Sequence, residues 1–445
     1  MGELLKTSQS GGKLSPCDIE ANFDDLHPPL NDQQVNSWAS RCLFCYDAPC
    51  ITACPTAIDI PRFIRQIATD NVIGAAKTIL SANIMGGTCA RACPTEILCE
   101  QQCVLNTGEQ EPIEIGALQR HAVDHLMDSA KTHPFKRAAN TGKTIAVIGA
   151  GPAGLACAHE LARLGHDVMV FEARAKAGGL NEYGLAAYKM AGDFAAKETK
   201  FITDIGGITI KTGQALGRDF SLQDLQDNYD AVFIGIGLTN MRNLGIAGED
   251  LSGVSNALDF IETIRQTSDL STLDPGEDVV IIGGGNTAID AAVQAKRLGV
   301  NTVTLAYRRG AEQMGATNWE QDLAAKNGVI IKHWAKPVEI VGSGHVQAVR
   351  FERTQLLDGA LSGTGDMFDL QAGSVLKAVG QTLVSDDLNV LDIRRGKILV
   401  DASGMTSVAG VYAGGDCIAS GEDLTVQAVA DGKNSALEMH KMLEG

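Results

Sequence analysis

Eight of the eleven cysteines fall between Cys42 and Cys103. They run Cys42-x2-Cys45-x4-Cys50-x3-Cys54-Pro55, and then Cys89-x3-Cys93-Pro94, Cys99 and Cys103. Clustered cysteines with two Cys-Pro pairs fit iron–sulfur ligation, in which the last cysteine of a run often serves the other cluster. Structural zinc is the rival chemistry. Zinc sites are built from paired C-x2-C knuckles, and only Cys42 and Cys45 form one here. By spacing alone, all eight cysteines are candidate ligands. Cys157, inside an apolar helical stretch, and the isolated Cys417 read as packing residues.

A second chemistry sits in the glycines. Gly149, Gly151 and Gly154, with Pro152 and Ala153 between them, follow the β-rich run TIAVI and open the helical stretch LACAHELARLG. Such a loop makes a tight turn, lets backbone approach a pyrophosphate, and packs helix on strand. The diphosphate then lies on the helix N-terminus, where free N–H groups and the dipole favour negative charge. Glu172 ends the next strand, 23 residues after Gly149, where a carboxylate can accept hydrogen bonds from ribose hydroxyls.

The pattern repeats 134 residues later as Gly283, Gly285, Asn286, Thr287 and Ala288. The strand after it ends in Arg308 and Arg309, with no acid in the place of Glu172. Arginines there suit a 2′-phosphate, so the expected coenzyme is NADPH; a solvated strand end would leave NADH.

Elements able to position these residues are visible in the pattern. Residues 1–130 read as a helical domain holding the cysteines, with apolar periodicity in IPRFIRQIA and GALQRHAVDHLM. Residues 131–143 are basic and turn-rich, a linker. The expected class is α/β: the helical domain, then two Rossmann-like units, with a nicotinamide unit (271–372) inserted in a flavin unit (140–270 and 373–445).

Composition narrows the function. A net charge of −17 repels phosphate backbones, which argues against nucleic acid. No run of about 20 apolar residues exists for a membrane span. The polar start MGELLKTSQSGGK has no apolar signal-peptide core, and Lys6 departs from a myristoylation signal. A cytoplasmic chain is expected, and in a reducing compartment a cysteine block reads as metal chemistry rather than disulfides.

Two resemblances add to this reading. Gly178-Gly179-Leu180 and Gly414-Gly415-Asp416 resemble the pyridine nucleotide–disulfide oxidoreductase superfamily. That resemblance implies FAD in the first unit, with Asp416 on the ribityl and phosphate region. It also implies a helix from Thr425, Val426 and Gln427 aimed at the isoalloxazine. The superfamily's redox-active cysteine pair is absent, so electrons must leave by another route.

The segments RCLFCYDAPCITACPTAIDIPRFI, TCARACPTEILCEQQC and PIEIGALQR are similar to the N-terminal third of dihydropyrimidine dehydrogenase and to the separate bacterial subunit carrying that part. The similarity covers nearly the whole chain. It implies one [4Fe–4S] cluster on Cys42, Cys45, Cys50 and Cys103, and a second on Cys54, Cys93, Cys99 and the side chain of Gln119. Cys89 matches a cysteine that is not a ligand.

The resemblance further implies an NAD(P)H oxidoreductase with no acid–base catalyst of its own. It would feed an FMN-containing partner that reduces uracil or thymine, as a heterotetramer. The FMN barrel of the long enzyme has no counterpart here. The small subunit of glutamate synthase shares the architecture and is the alternative.

Overall fold

The computed structural model describes residues 14–129, 132–238, 240–383 and 387–444. The polar start at 1–13 and the first position of the linker, 131, lie outside the described residues. By its contacts the chain divides into two compact units. One comprises residues 27–182, 192–240 and 382–445; the other comprises Met1–Leu26, Tyr183–Ala191 and Met241–Gln381.

The first unit begins with helices. Ile60–Ala68 starts on Asp59, whose side chain accepts the Arg62 N–H, and carries Pro61 in its first turn. Its Ile60, Phe63, Ile64 and Ile67 recur at helical spacing and are all buried. Val72–Ala82 is capped by Asn71 in the same way and buries Ala75, Ala76, Ile79 and Leu80. Ile115–Ser129 lays Leu118, Ala122, Val123 and Leu126 against them. Each large side chain so buried contributes on the order of 2 kcal/mol. The same core runs on through Ile145, Val147, Leu155 and Leu161, so helices and sheet are one packed body.

Residues 132–143 carry neither helix nor strand. A five-stranded parallel sheet follows, in the spatial order Val411–Ala413, Ala231–Ile234, Thr144–Ile148, Asp167–Glu172, Ile208–Thr212. Strands covered on both faces read as continuous apolar runs, and Ile145 to Ile148 are all buried. Val411–Ala413 joins this sheet only after the chain has built the other unit, which makes that unit an insertion.

The second unit holds a parallel sheet ordered Val254–Asn256, Ser374–Ala378, Asp278–Gly283, Thr302–Ala306, Ile330–Lys332. An antiparallel sheet of Ala335–Gly342, Val346–Leu357 and Ala360–Gln371 accompanies it. The helix Pro16–Asn22, counted with the cluster domain on sequence grounds, belongs to this unit. Ile19 and Phe23 pack with Ile264 and Leu298. Asn22 and Arg297 exchange hydrogen bonds through each other's backbone carbonyls, at 3.0 and 2.7 Å. The segment Tyr183–Ala191 is also part of this unit, through Tyr188 and Lys189.

Candidate functional site

The two glycine loops occur where strand meets helix: Thr144–Ile148 into Pro152–Arg163, and Asp278–Gly283 into Asn286–Arg297. Their glycines differ in surroundings. A Cβ at Gly149, which has φ +94°, would stand 2.5 Å from the Gly235 carbonyl oxygen. One at Gly154 would stand 1.9 Å from that of Gly149, and one at Gly283 2.2 Å from that of Ala378. The middle glycines are open instead. Gly151 meets only Gly179 Cα at 3.8 Å, and Gly285 meets nothing within 4 Å. The outer glycines are required by the fold, and the middle ones leave space where a pyrophosphate would lie.

Glu172 is buried and accepts the Ala150 and Arg174 N–H groups, both at 2.8 Å. A carboxylate has further lone pairs for a ribose. Gly179 adjoins the loop, since a Cβ there would stand 2.7 Å from Gly151 Cα, and Leu180 opens the short helix Leu180–Tyr183. Asp416 has no hydrogen-bond partner among the described residues. Burial pushes its carboxyl up to about 6, with Asp423 adding to the shift and Lys397 opposing it. Asp431 ties the Gly415-Asp416 turn to the helix Thr425–Glu444: it accepts the Gly415 N–H at 3.0 Å and the Gln427 amide at 2.7 Å. These features fit a flavin dinucleotide.

In the inserted unit, Asn286 and Thr287 start the helix behind the open Gly285, and the buried Oδ1 of Asn286 has no hydrogen-bond partner among the described residues. Ala288 is fully buried. The backbone of Arg308 and Arg309 is pinned by Thr354 Oγ1 at 2.7 Å and the Trp334 N–H at 3.1 Å. Neither guanidinium has an ion-pair partner among the described residues. Free guanidiniums at this strand end fit a 2′-phosphate.

The cysteines gather around two neighbouring cavities that share Ile60 and Ile115 in their walls. The first, about 380 Å³ with its open mouth, brings together Cys42, Cys45, Cys50 and Cys103. Phe44, at φ +51°, turns the chain between Cys42 and Cys45, and the Arg65 guanidinium lies 4.8 Å over its ring. The second, about 400 Å³, brings together Cys54, Cys89, Cys93, Cys99 and Gln119. Cys93 stands at the end of the helix Gly86–Ala92, and Gln119 comes from Ile115–Ser129. Val426, at the start of the helix Thr425–Glu444, completes this wall.

Burial raises the Cys42 and Cys99 thiols, and it raises Cys50 to about 12 with help from Cys42 and Cys103. Thiols crowded this way repel as thiolates, which a cationic metal core would offset. Among the described residues no three His, Cys, Asp or Glu side chains converge on a point suited to a single metal ion. Four cysteines lining one cavity and four cysteines with Gln119 lining the other, with a single C-x2-C knuckle between them, fit clusters better than zinc.

Several site residues escaped the sequence reading. Asn83 lines the second cavity. Asn181, almost fully buried, lies between Met85 Sδ at 3.8 Å and Thr425 Oγ1 at 3.4 Å. Glu198 holds the start of the Gly86–Ala92 helix. The paired glycines at 86–87 were the available signal, because a Cβ at Gly87 would stand 2.4 Å from the Phe194 ring.

Comparison with known proteins agrees with this geometry. Residues 143–432 match the family model described as pyridine nucleotide-disulphide oxidoreductase. The chain belongs to this family. Residues 19–131 match the model described as dihydropyrimidine dehydrogenase domain II, 4Fe-4S cluster. This member of the oxidoreductase family is therefore an NAD(P)H oxidoreductase that carries a 4Fe-4S domain.

Among its relatives is the glutamate synthase [NADPH] small chain of Escherichia coli (strain K12), 33% identical over 95% of this chain and 94% of that one. The NAD-dependent dihydropyrimidine dehydrogenase subunit PreT of the same organism is 34% identical over 95% of this chain and 98% of that one. Among solved structures, the thioredoxin reductase of T. acidophilum has a TM-score of 0.55 at 24% identity, covering 68% of this chain and 100% of that one. FprA of Mycobacterium tuberculosis in complex with NADPH has a TM-score of 0.57 at 22% identity, covering 68% and 85%. Both show the same fold. Among the described residues no helix is long and apolar enough to cross a membrane.

Proposed function

We propose that this chain is the electron-input subunit of a dihydropyrimidine dehydrogenase. It oxidises NAD(P)H through FAD and two [4Fe–4S] clusters and supplies an FMN-containing partner that reduces uracil or thymine to the 5,6-dihydro base, as a cytoplasmic heterotetramer. When bound, the flavin accepts an electron pair as hydride and the clusters carry electrons singly.

The chain's residues hold and separate these groups. Gly149, Gly151, Gly154, Glu172, Gly179 and Asp416 cradle the flavin dinucleotide. Gly283, Gly285, Asn286 and Arg308–Arg309 hold the nicotinamide coenzyme. The thiols of Cys42, Cys45, Cys50 and Cys103 surround one cluster; Cys54, Cys93, Cys99 and Gln119 surround the other. No side chain is required as an acid or base.

The observation that carries the pyrimidine reading is Gln119 in the wall of the second cavity, beside Cys54, Cys93 and Cys99. A glutamine at that position is what the pyrimidine enzyme's ligand set calls for. The PreT relatives support the same reading and are named as subunits, which supports a partner. They are NAD-dependent, whereas the free Arg308 and Arg309 side chains support NADPH. The glutamate synthase small chain, nearly as similar over its length, supports a second reading with a different partner.

Anaerobic titration of the purified chain tests the dehydrogenase reading: NADPH or NADH bleaches the flavin absorbance, and no bleaching with either would sink it. Affinity purification from the native cell tests the partner. A co-purifying FMN protein with NAD(P)H-dependent uracil reduction supports the pyrimidine enzyme. A large glutamine-hydrolysing chain in its place supports the synthase.

A further inference from the structure

The second cavity offers more donors than a four-iron cluster with three cysteine ligands needs. Beside Cys54, Cys93 and Cys99 stand both Cys89 and Gln119, and a thiolate is the stronger donor. Two carboxamides distinguish them.

Asn83 is fully buried. Its Oδ1 accepts the Met85 N–H at 3.0 Å, and its Nδ2 faces Cys89 Sγ at 3.2 Å. A backbone N–H must meet an oxygen, so the amide cannot be turned round, and its NH2 is committed to the sulfur. Gln119 is fixed by the opposite constraint. The Gly86 carbonyl can only accept, so it takes Nε2, at 2.7 Å, and leaves Oε1 without a hydrogen bond among the described residues. The segment 83–89 thus fixes both carboxamides through neighbouring backbone groups, those of Met85 and Gly86.

We propose that Asn83 selects the fourth ligand of the second cluster: its carboxamide holds Cys89 Sγ as a hydrogen-bonded non-ligand, and the position falls to Gln119 Oε1. This rests on reading the cavity as a [4Fe–4S] site. Asn83 is a positioning residue, acting through Cys89. Its consequence is electronic, because a neutral amide oxygen in place of a thiolate leaves the cluster one negative charge poorer. Net charge and hydrogen bonds to sulfur both set the reduction potential. Asn83 therefore keeps the potential of this cluster higher than an all-cysteine site would.

The test uses the full chain purified anaerobically with its cofactors, with iron and sulfide content and an EPR-monitored redox titration as readouts. Cys89→Ala keeps the full iron content. Asn83→Leu shifts the potential of one cluster downwards, and adding Cys89→Ala removes that downward shift. Gln119→Ala loses roughly half of the iron when Asn83 is present and retains it in the Asn83→Leu background. Loss of roughly half of the iron in Cys89→Ala would overturn the proposal, as would the same potential in Asn83→Leu with and without Cys89. Should Asn83→Leu fail to assemble clusters, the Cys89→Ala iron content and the smaller Asn83→Ala carry the same decision. A wild-type chain with the iron of one cluster alone would overturn the cluster reading of the cavity, a failure separate from the choice of ligand.

Discussion

The carboxylate of Glu198 accepts the backbone N–H of Gly87 at 2.9 Å, across 111 residues of chain. The same group takes the Thr88 N–H at 3.0 Å and the Thr88 hydroxyl. An acid on the helix Phe194–Thr203, beside the flavin sheet, therefore caps the helix that carries Cys89 and leads to Cys93. Burial raises this carboxyl from 4.5 to about 7, against the hydrogen bonds of Thr88. Between those values the folded chain holds a proton that the unfolded chain has released. This contribution to stability is full below about pH 4.5 and is lost as pH rises through about 7, by up to about 3 kcal/mol. Glu198→Gln keeps an oxygen for the two N–H groups and flattens this part of a plot of Tm against pH. Glu100, raised to about 7 by burial, and Asp416, raised to about 6, leave a residual slope of the same sign. An unaltered profile in Glu198→Gln would contradict the assignment.

Arg308 and Arg309 set the expected coenzyme preference. Each guanidinium lacks a carboxylate partner among the described residues, so a 2′-phosphate would meet free donors. Losing one charge-assisted hydrogen bond costs about 1.5–3 kcal/mol. Replacing both with alanine lowers kcat/KM for NADPH by about tenfold to a hundredfold and leaves NADH nearly unchanged. Steady-state flavin reduction with each coenzyme measures this; equal losses for both would remove the 2′-phosphate role.

Lys189 anchors the segment Tyr183–Ala191 within the inserted unit. It is buried between Asp290, at 2.7 Å, and Glu320, with the Tyr188 hydroxyl also on Asp290 at 3.2 Å. The two acids hold its ammonium above its usual range despite burial, which opposes charge. Lys189→Met leaves two buried carboxylates without their cation, a loss of about 3–5 kcal/mol. The triple change with Asp290→Asn and Glu320→Gln recovers part of it. Thermal melts of the three proteins test this, and a Lys189→Met chain as stable as wild type would refute it.

The gathering of the cysteines and both glycine loops were legible because they are written in local residue types and short spacings. The helices Ile60–Ala68 and Ile115–Ser129 were legible through apolar periodicity. Gln119 was not, because a glutamine on a buried helix face has no spacing signature; only the resemblance pointed to it. Asn83 acts only six residues away, on Cys89, but a lone asparagine before a glycine pair has no spacing signature. Glu198 and Lys189 act on partners brought close by the fold: Glu198 reaches back 111 residues, and Lys189 reaches forward 131 to Glu320. The segments at Pro16–Asn22 and Tyr183–Ala191 were unreadable for the same reason. Their apolar residues could serve any neighbouring core, and tertiary contacts alone assign them to the inserted unit.

The glycines of the flavin loop make a prediction that separates fold from ligand. Gly154 touches backbone: a Cβ there, 1.9 Å from the Gly149 oxygen, has no rotamer by which to escape. Gly154→Ala therefore displaces the loop, lowers Tm by several degrees and loses flavin. Gly151 is different, because a Cβ there meets nothing closer than Gly179 Cα at 3.8 Å. The apoprotein accommodates Gly151→Ala with its Tm unchanged, and the methyl occupies space that the fold leaves for the pyrophosphate. Flavin affinity then falls about tenfold or more, equivalent to about 1.4 kcal/mol or more. Flavin content after dialysis, set beside the apoprotein Tm, distinguishes the two variants. Gly151→Ala binding flavin as tightly as wild type would show that the open space at this glycine is not where the dinucleotide lies.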